Sequence, residues 1–204
     1  MRNYLESSIA ILMGMVILGF ILIGFTGCTE STLVQPLETM NKVNSPTADE
    51  LMLNFALAYG GRDLGLYEQL LHEDFVYTFN QDAVNKLGPT YEFFTKEDEL
   101  ITAAKMFSGK PVVNSQGRTV AAITDIEFLS WQKVGDWEMT GDMDRRGSMR
   151  GVYEGTIHFT REGDRDFTIR GRQMFTVVMD EVSGDEGGSR PNYKIIGWQD
   201  LSGW

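Results

Sequence analysis

The chain has 204 residues, with 18 basic and 29 acidic side chains, two histidines, one cysteine and a formal net charge of −11. That length accommodates one domain and a tail, and 42% hydrophobic residues separate the composition from that of a disordered chain. The acidity argues against a binder of nucleic-acid backbones, the lone cysteine excludes an intrachain disulfide, and two histidines leave little for a histidine-rich metal site.

Residues 9–25 (IAILMGMVILGFILIGF) are seventeen uncharged residues without a polar side chain, and no other segment is like them. As a helix they would span about 26 Å, slightly short of a bilayer's hydrocarbon core, which suits a short anchor or the apolar core of a signal peptide. Arg2 and the amino terminus make the preceding segment weakly positive against Glu6. The run ends in Phe25-Thr26-Gly27-Cys28, so small residues lead directly into the cysteine. This pattern resembles the lipobox of bacterial lipoproteins, with Phe25 where that family usually carries Leu. The resemblance implies that residues 1–27 are a cleaved signal peptide, that the Cys28 sulfur and the new amino terminus are acylated, and that Thr29 permits sorting to an outer membrane. A retained apolar helix is the other reading, and both put residues 29–204 outside the cytoplasm on a membrane tether. Cleavage removes Arg2 and Glu6 together and leaves the net charge unchanged. Residues 28–44 read as a lipidated, polar tether containing Pro36, and the folded domain spans 45–204.

Ser45-Pro46, followed by Asp49 and Glu50, predicts a helix start, and Leu51, Phe55 and Ala58 recur at helical spacing until Gly60-Gly61. Asp63 caps a second helix through Leu66, Leu70 and Leu71, with His72 at its solvated end. Residues 75–79 (FVYTF) predict a strand, and residues 80–95, with Gly88-Pro89, a loop. Thr95 and Asp98 form a capping pattern for a third helix through Ile101, Ala104 and Met106. Beyond it the period becomes two, and strands are expected at about 119–131, 149–161, 166–180 and 193–201. Residues 132–148 read as an irregular charged excursion, 162–164 as a hairpin turn, and 183–192 as a flexible loop. Helices first and long strands second predict an α+β fold, with N-terminal helices packed on a curved, mainly antiparallel sheet.

The runs LMLNFALAYGGRDLGLYEQLLHEDFVYTF, FTIRGRQMFTVVMDE and YKIIGWQDL resemble a nuclear-transport-factor-2-like domain of the SnoaL-like sort over roughly residues 47–201. The resemblance implies a cone with a pocket between the sheet and the helices. It leaves function open, since this fold hosts isomerases, cyclases, dehydratases and non-catalytic modules. Ketosteroid-isomerase-like chemistry would need a tyrosine in the first helix and a proton-moving Asp in the first strand. Those places fall at Phe55 and Phe79, so neither role is filled.

Other polar candidates depend on which strand face lines the cone. His158 shares a face with Glu154, Thr156 and Thr160, opposite Tyr153, Ile157 and Phe159. His158 and Asp125 are the candidate acid/base groups, while the greater hydrophobicity of the opposite face favours their exposure. Tyr77, Arg170, Arg172 and Trp198 are the candidate pocket residues, with cross-strand pairing to acids such as Glu154 as the alternative for the arginines. No cofactor fingerprint, nucleophile elbow or zinc-ligand cluster occurs, so no cofactor and no metal are expected. The leading expectation is a lipid-anchored cone that binds a small apolar ligand or an envelope partner without catalysis. The alternatives are a SnoaL-like isomerase or hydrolyase and a homodimerisation module.

Overall fold

A computed structural model of the chain describes residues 44–80, 84–85, 93–114, 117–141, 147–183 and 189–201; the leader, Cys28 and the tether lie outside the described residues. Helix α1 (Ala48–Gly60) starts two residues later than Ser45-Pro46 suggests. Thr47 is the cap, its hydroxyl accepting from the Glu50 N–H at 3.1 Å. Ser45 is engaged elsewhere: its N–H donates to Asn192 Oδ1 at 2.9 Å and its hydroxyl accepts from Asn54 at 3.0 Å. A buried tertiary bond has replaced the local cap. The Gly61 N–H closes α1 on the Leu57 carbonyl at 2.8 Å, and Arg62 turns the chain with φ 54°. Asp63 then caps α2 (Leu64–Leu70), accepting from the Leu66 N–H at 2.9 Å.

Strand β1 (Leu71–Thr78) follows without a loop, so Leu71 and His72 are strand residues and not the end of a helix. The expected loop contains a short strand, β2 (Phe93–Thr95), which leads into α3 (Lys96–Phe107). Thr95 and Asp98 form the reciprocal capping box that their spacing predicts. Strands β3 (Val112–Val113) and β4 (Thr119–Val120) make a separate two-stranded ribbon. The remaining strands are long: β5 (Ile123–Met139), β6 (Met149–Arg161), β7 (Phe167–Ser183) and β8 (Ser189–Asp200).

The main sheet runs β2-β1-β8-β7-β6-β5, with β1 and β8 parallel and every other pair antiparallel. Residues 132–139 belong to this sheet: Val134 pairs with Val152, Glu138 with Arg150 and Met139 with Met149. Register shifts interrupt β5 between Ile123 and Asp125, Phe128 and Ser130, and Val134 and Glu138. Each bulge changes the phase of in-out alternation, which hides a strand from a period-two reading of the sequence. Strand β8 begins earlier than expected because residues 189–192 continue the ladder, with Asn192 opposite Asp180.

The helices cover one face of this sheet. Leu51, Met52, Phe55, Ala58 and Tyr59 of α1 are buried there, together with Ala103, Met106 and Phe107 of α3. The sheet contributes Ile126, Tyr153, Phe159, Phe175, Val177 and Ile195. Two tryptophans of β5 reach this face over glycines of β6. A Cβ at Gly155 would lie 2.6 Å from the Trp131 ring, and one at Gly151 would lie 2.7 Å from the Trp137 ring. These glycines are needed for close ring approach, not for an unusual φ. Among the described residues, no helix is long and apolar enough to cross a membrane.

Candidate functional site

Between the helices and the inner sheet face, aromatic rings touch one another. Phe55 lies at their centre, with ring centroids of Tyr59, Tyr67, Trp131, Phe175 and Trp198 at 5.6, 5.9, 5.7, 5.3 and 5.4 Å. Tyr77 meets Trp198 edge-on at 5.0 Å and Phe79 at 4.8 Å, and Phe79 meets Phe94 at 4.6 Å. Stacked and edge-to-face contacts of this kind add to the burial of the rings. Of the expected pocket residues, Tyr77 and Trp198 therefore meet inside the cone, and the Trp198 Nε1–H donates to Gln173 at 2.7 Å.

One carboxyl group is buried among these rings. Glu99 of α3 is 6% exposed and accepts a 2.7 Å hydrogen bond from the Tyr67 hydroxyl. Desolvation raises its pKa to about 7 against the lowering effect of that hydrogen bond. Burial also holds the phenols of Tyr59, Tyr67 and Tyr77 well above their ordinary range. The Trp131 Nε1–H is buried without a hydrogen-bond partner. Glu99 was not among the candidates from sequence, although a signal existed: Glu99, Thr102, Ala103 and Met106 follow the i, i+3, i+4, i+7 spacing of a buried helical stripe. An acid in the first turn reads more simply as a dipole-favoured surface residue.

A second acid fastens the N-terminus of α1 to the long arm of β5 and β6. The Asp49 carboxylate accepts from Trp137 Nε1 at 2.8 Å, Lys133 Nζ at 2.9 Å and the Tyr153 hydroxyl at 3.1 Å. The bond from Trp137, helped by Lys133 and Tyr153, holds its pKa below the usual carboxylate range despite some desolvation. This cluster spans sequence separations above 80 residues, and no local pattern marks it.

The remaining candidates lie on the opposite sheet face. Asp125 is exposed, and His158 bonds through Nδ1 to Thr168 Oγ1 at 3.0 Å, with Nε2 3.8 Å from Asp166. The structure brings neither to the cone, nor to the other: Asp125 pairs in register with Thr160, and His158 with Glu127 and Thr168. Arg170 points outward, and Arg172 forms the cross-strand ion pair with Glu154 at 3.3 Å. The physical reason is alternation. Tyr153 and Phe159 are drawn inward by the apolar helices, which places every even-numbered residue of this part of β6 outside. His72, at the start of β1, accepts from the Asp74 N–H at 3.1 Å. Among the described residues, no three His, Cys, Asp or Glu side chains are grouped to hold a metal ion.

No protein-family model matches this chain, and no curated protein does. Solved structures do resemble it. A protein from Novosphingobium aromaticivorans, provisionally described as a scytalone dehydratase, is 9% identical with a TM-score of 0.50, over 76% of this chain and 81% of its own. A nuclear-transport-factor-2-like protein from Cytophaga hutchinsonii is 16% identical with a TM-score of 0.41, over 75% and 93%. Another from Rhodospirillum rubrum, described as of unknown function in nutrient uptake, is 13% identical with a TM-score of 0.46, over 78% and 99%. What the chain shares with the first of these is its fold, helices laid on one face of a curved, mainly antiparallel sheet.

In this cone, the two places that a ketosteroid-isomerase-like mechanism would use are apolar. Phe55 is 2% and Phe79 6% exposed, and both are fixed by ring contacts. A cavity of about 320 Å³ lies on the outer face, across β1, β8, β7 and β6. Its lining includes Thr78, Thr140, Arg150, Thr176 and Gln199, over an apolar part formed by Val76, Met174 and Ile196.

Proposed function

We propose that this protein is a lipid-anchored, non-catalytic binding module of the cell envelope that engages its partner through the outer sheet face. The observation that carries the reading is the interior: Phe55, at the place where a ketosteroid-isomerase-like site would need a tyrosine, has no hydroxyl and is packed by five aromatic rings. The outer face, by contrast, offers both a concavity and unburied polar groups. Acylated Cys28 would hold the domain at the membrane by two or three chains, since one chain alone binds marginally. Native mass spectrometry of the full chain released from membranes in detergent tests this. A partner protein or a second copy, together with acyl mass on Cys28, is the expected result. A bare monomer with an unmodified cysteine overturns it.

The Glu99–Tyr67 pair favours a second reading, an isomerase or hydrolyase in which Glu99, not His158 or Asp125, moves the proton. A carboxyl held near pH 7 suits general acid/base work, and the unpartnered Trp131 N–H offers a donor in the same interior. This reading requires a small molecule inside the cone. Its co-purification with the wild-type chain and its turnover, lost in Glu99→Gln, would replace the binding-only reading.

A further inference from the structure

We propose that the outer-face groove is a binding site for a short monocarboxylate, held by Arg150. This rests on the outer face being the binding face and names the chemistry it would take. Gly197 forms the floor. It lies opposite both Val76 of β1 and Thr176 of β7, and without a side chain it leaves the face depressed between them. A Cβ there would come within 3.3 Å of Thr176 Cβ.

The charge of the groove is opposite to that of the protein. The chain carries 29 acids and a net charge of −11, yet among the described residues that line this cavity there is no Asp or Glu, and Arg150 is the one cation. Arg150 is exposed and has no ion-pair partner among the described residues, and its cross-strand neighbour Glu138 does not reach it. Arg172 and Arg161, by comparison, are held by acids at 3.3 and 2.9 Å. A free guanidinium presents a planar fork of donors that matches a carboxylate. The hydroxyls of Thr78 and Thr176 and the Gln199 amide can turn a donor toward the same oxygens. The one positive charge among the described lining residues balances a monoanion, whereas a phosphate calls for more cations. Val76, Met174 and Ile196 provide an apolar bed for a short carbon chain, and about 320 Å³ is the volume of a small-molecule site.

The test is methyl NMR on the full-length chain in detergent micelles, titrated at constant ionic strength with acetate, butyrate and hexanoate, and with butyramide as the uncharged analogue. Saturable shifts of the Met174, Thr176 and Val76 methyls are expected with the carboxylates, stronger for butyrate than acetate, and absent with butyramide. Arg150→Gln is expected to weaken binding at least tenfold, and Arg170→Gln, on the same face outside the groove, to leave it unchanged. If Arg150→Gln loses its native spectrum, Thr176→Val replaces it, with a severalfold weakening expected. Non-saturable shifts, equal shifts with butyramide, or equal affinity in the Arg150 or Thr176 variant would overturn the site. A protein partner in native mass spectrometry without carboxylate binding removes this proposal alone. Carboxylate binding without any protein partner or second copy removes the protein-docking reading and leaves the groove standing.

Discussion

The two faces of the main sheet are built from the same strands and differ in almost everything else. On the inner face, Tyr153, Phe159, Phe175 and Val177 are at most 5% exposed and held by rings and helices. On the outer face, Arg170, Arg172, Glu154 and Thr156 alternate with them, and the ion pair there has side chains 58% and 49% exposed. Buried packing and exposed polar chemistry are thus segregated by residue parity. A change inside is felt through packing, and a change outside through what the protein can touch.

Four substitutions sharpen that contrast, beginning with the largest. Phe55→Ala removes the ring that five others contact, and a loss of about 3–5 kcal/mol is expected in urea unfolding. A change below 1 kcal/mol would show that the interior is not the stabilising core.

Glu99→Gln should act through pH. The folded state keeps the Glu99 proton to about pH 7, whereas the unfolded chain releases it near 4.5. Between those values the native state binds more protons, so stability falls as pH rises, by about 3 kcal/mol across the window. The glutamine still accepts from Tyr67, so the variant should lose this slope and exceed the wild type in stability at pH 8. Parallel pH profiles for the two proteins would refute the buried acid.

Gly155→Ala comes next. Its Cβ would meet the Trp131 ring at 2.6 Å, and overpacking of about 1–3 kcal/mol is expected in thermal unfolding. The smallest effect belongs to the outer face: Arg172→Ala, at an exposed pair, should change stability by about 0.5 kcal/mol or less. A loss comparable to that at Gly155 would break the segregation of the faces.

Much of this architecture was legible locally. The Thr95–Asp98 box and the Asp63 cap depend on neighbours within a few residues, and the structure has them where the spacing puts them. The site was less legible. His158 and Asp125 are chemistry-bearing residue types, but strand parity sends both outward. Glu99 carries the one strongly raised carboxyl among the described residues, and its burial depends on α3 packing against α2 and β1. Asp49 looked like a dipole-favoured acid and is also the acceptor for Trp137, Lys133 and Tyr153.

By itself the sequence determined the order of the three helices and the long strands, the α+β class and the alternation that divides each strand into two faces, because these rest on short-range periodicity and capping. It also supplied the Cys28 pattern, a string of adjacent residues independent of any fold. Only the tertiary structure decided which face turns inward, that residues 132–139 join the sheet, that aromatic rings meet inside the cone, and that Arg150 faces a groove with no acid among its described lining residues. Those outcomes depend on residues tens of positions apart. Their free energies come from burial and desolvation, which exist only once the helices have closed over the sheet.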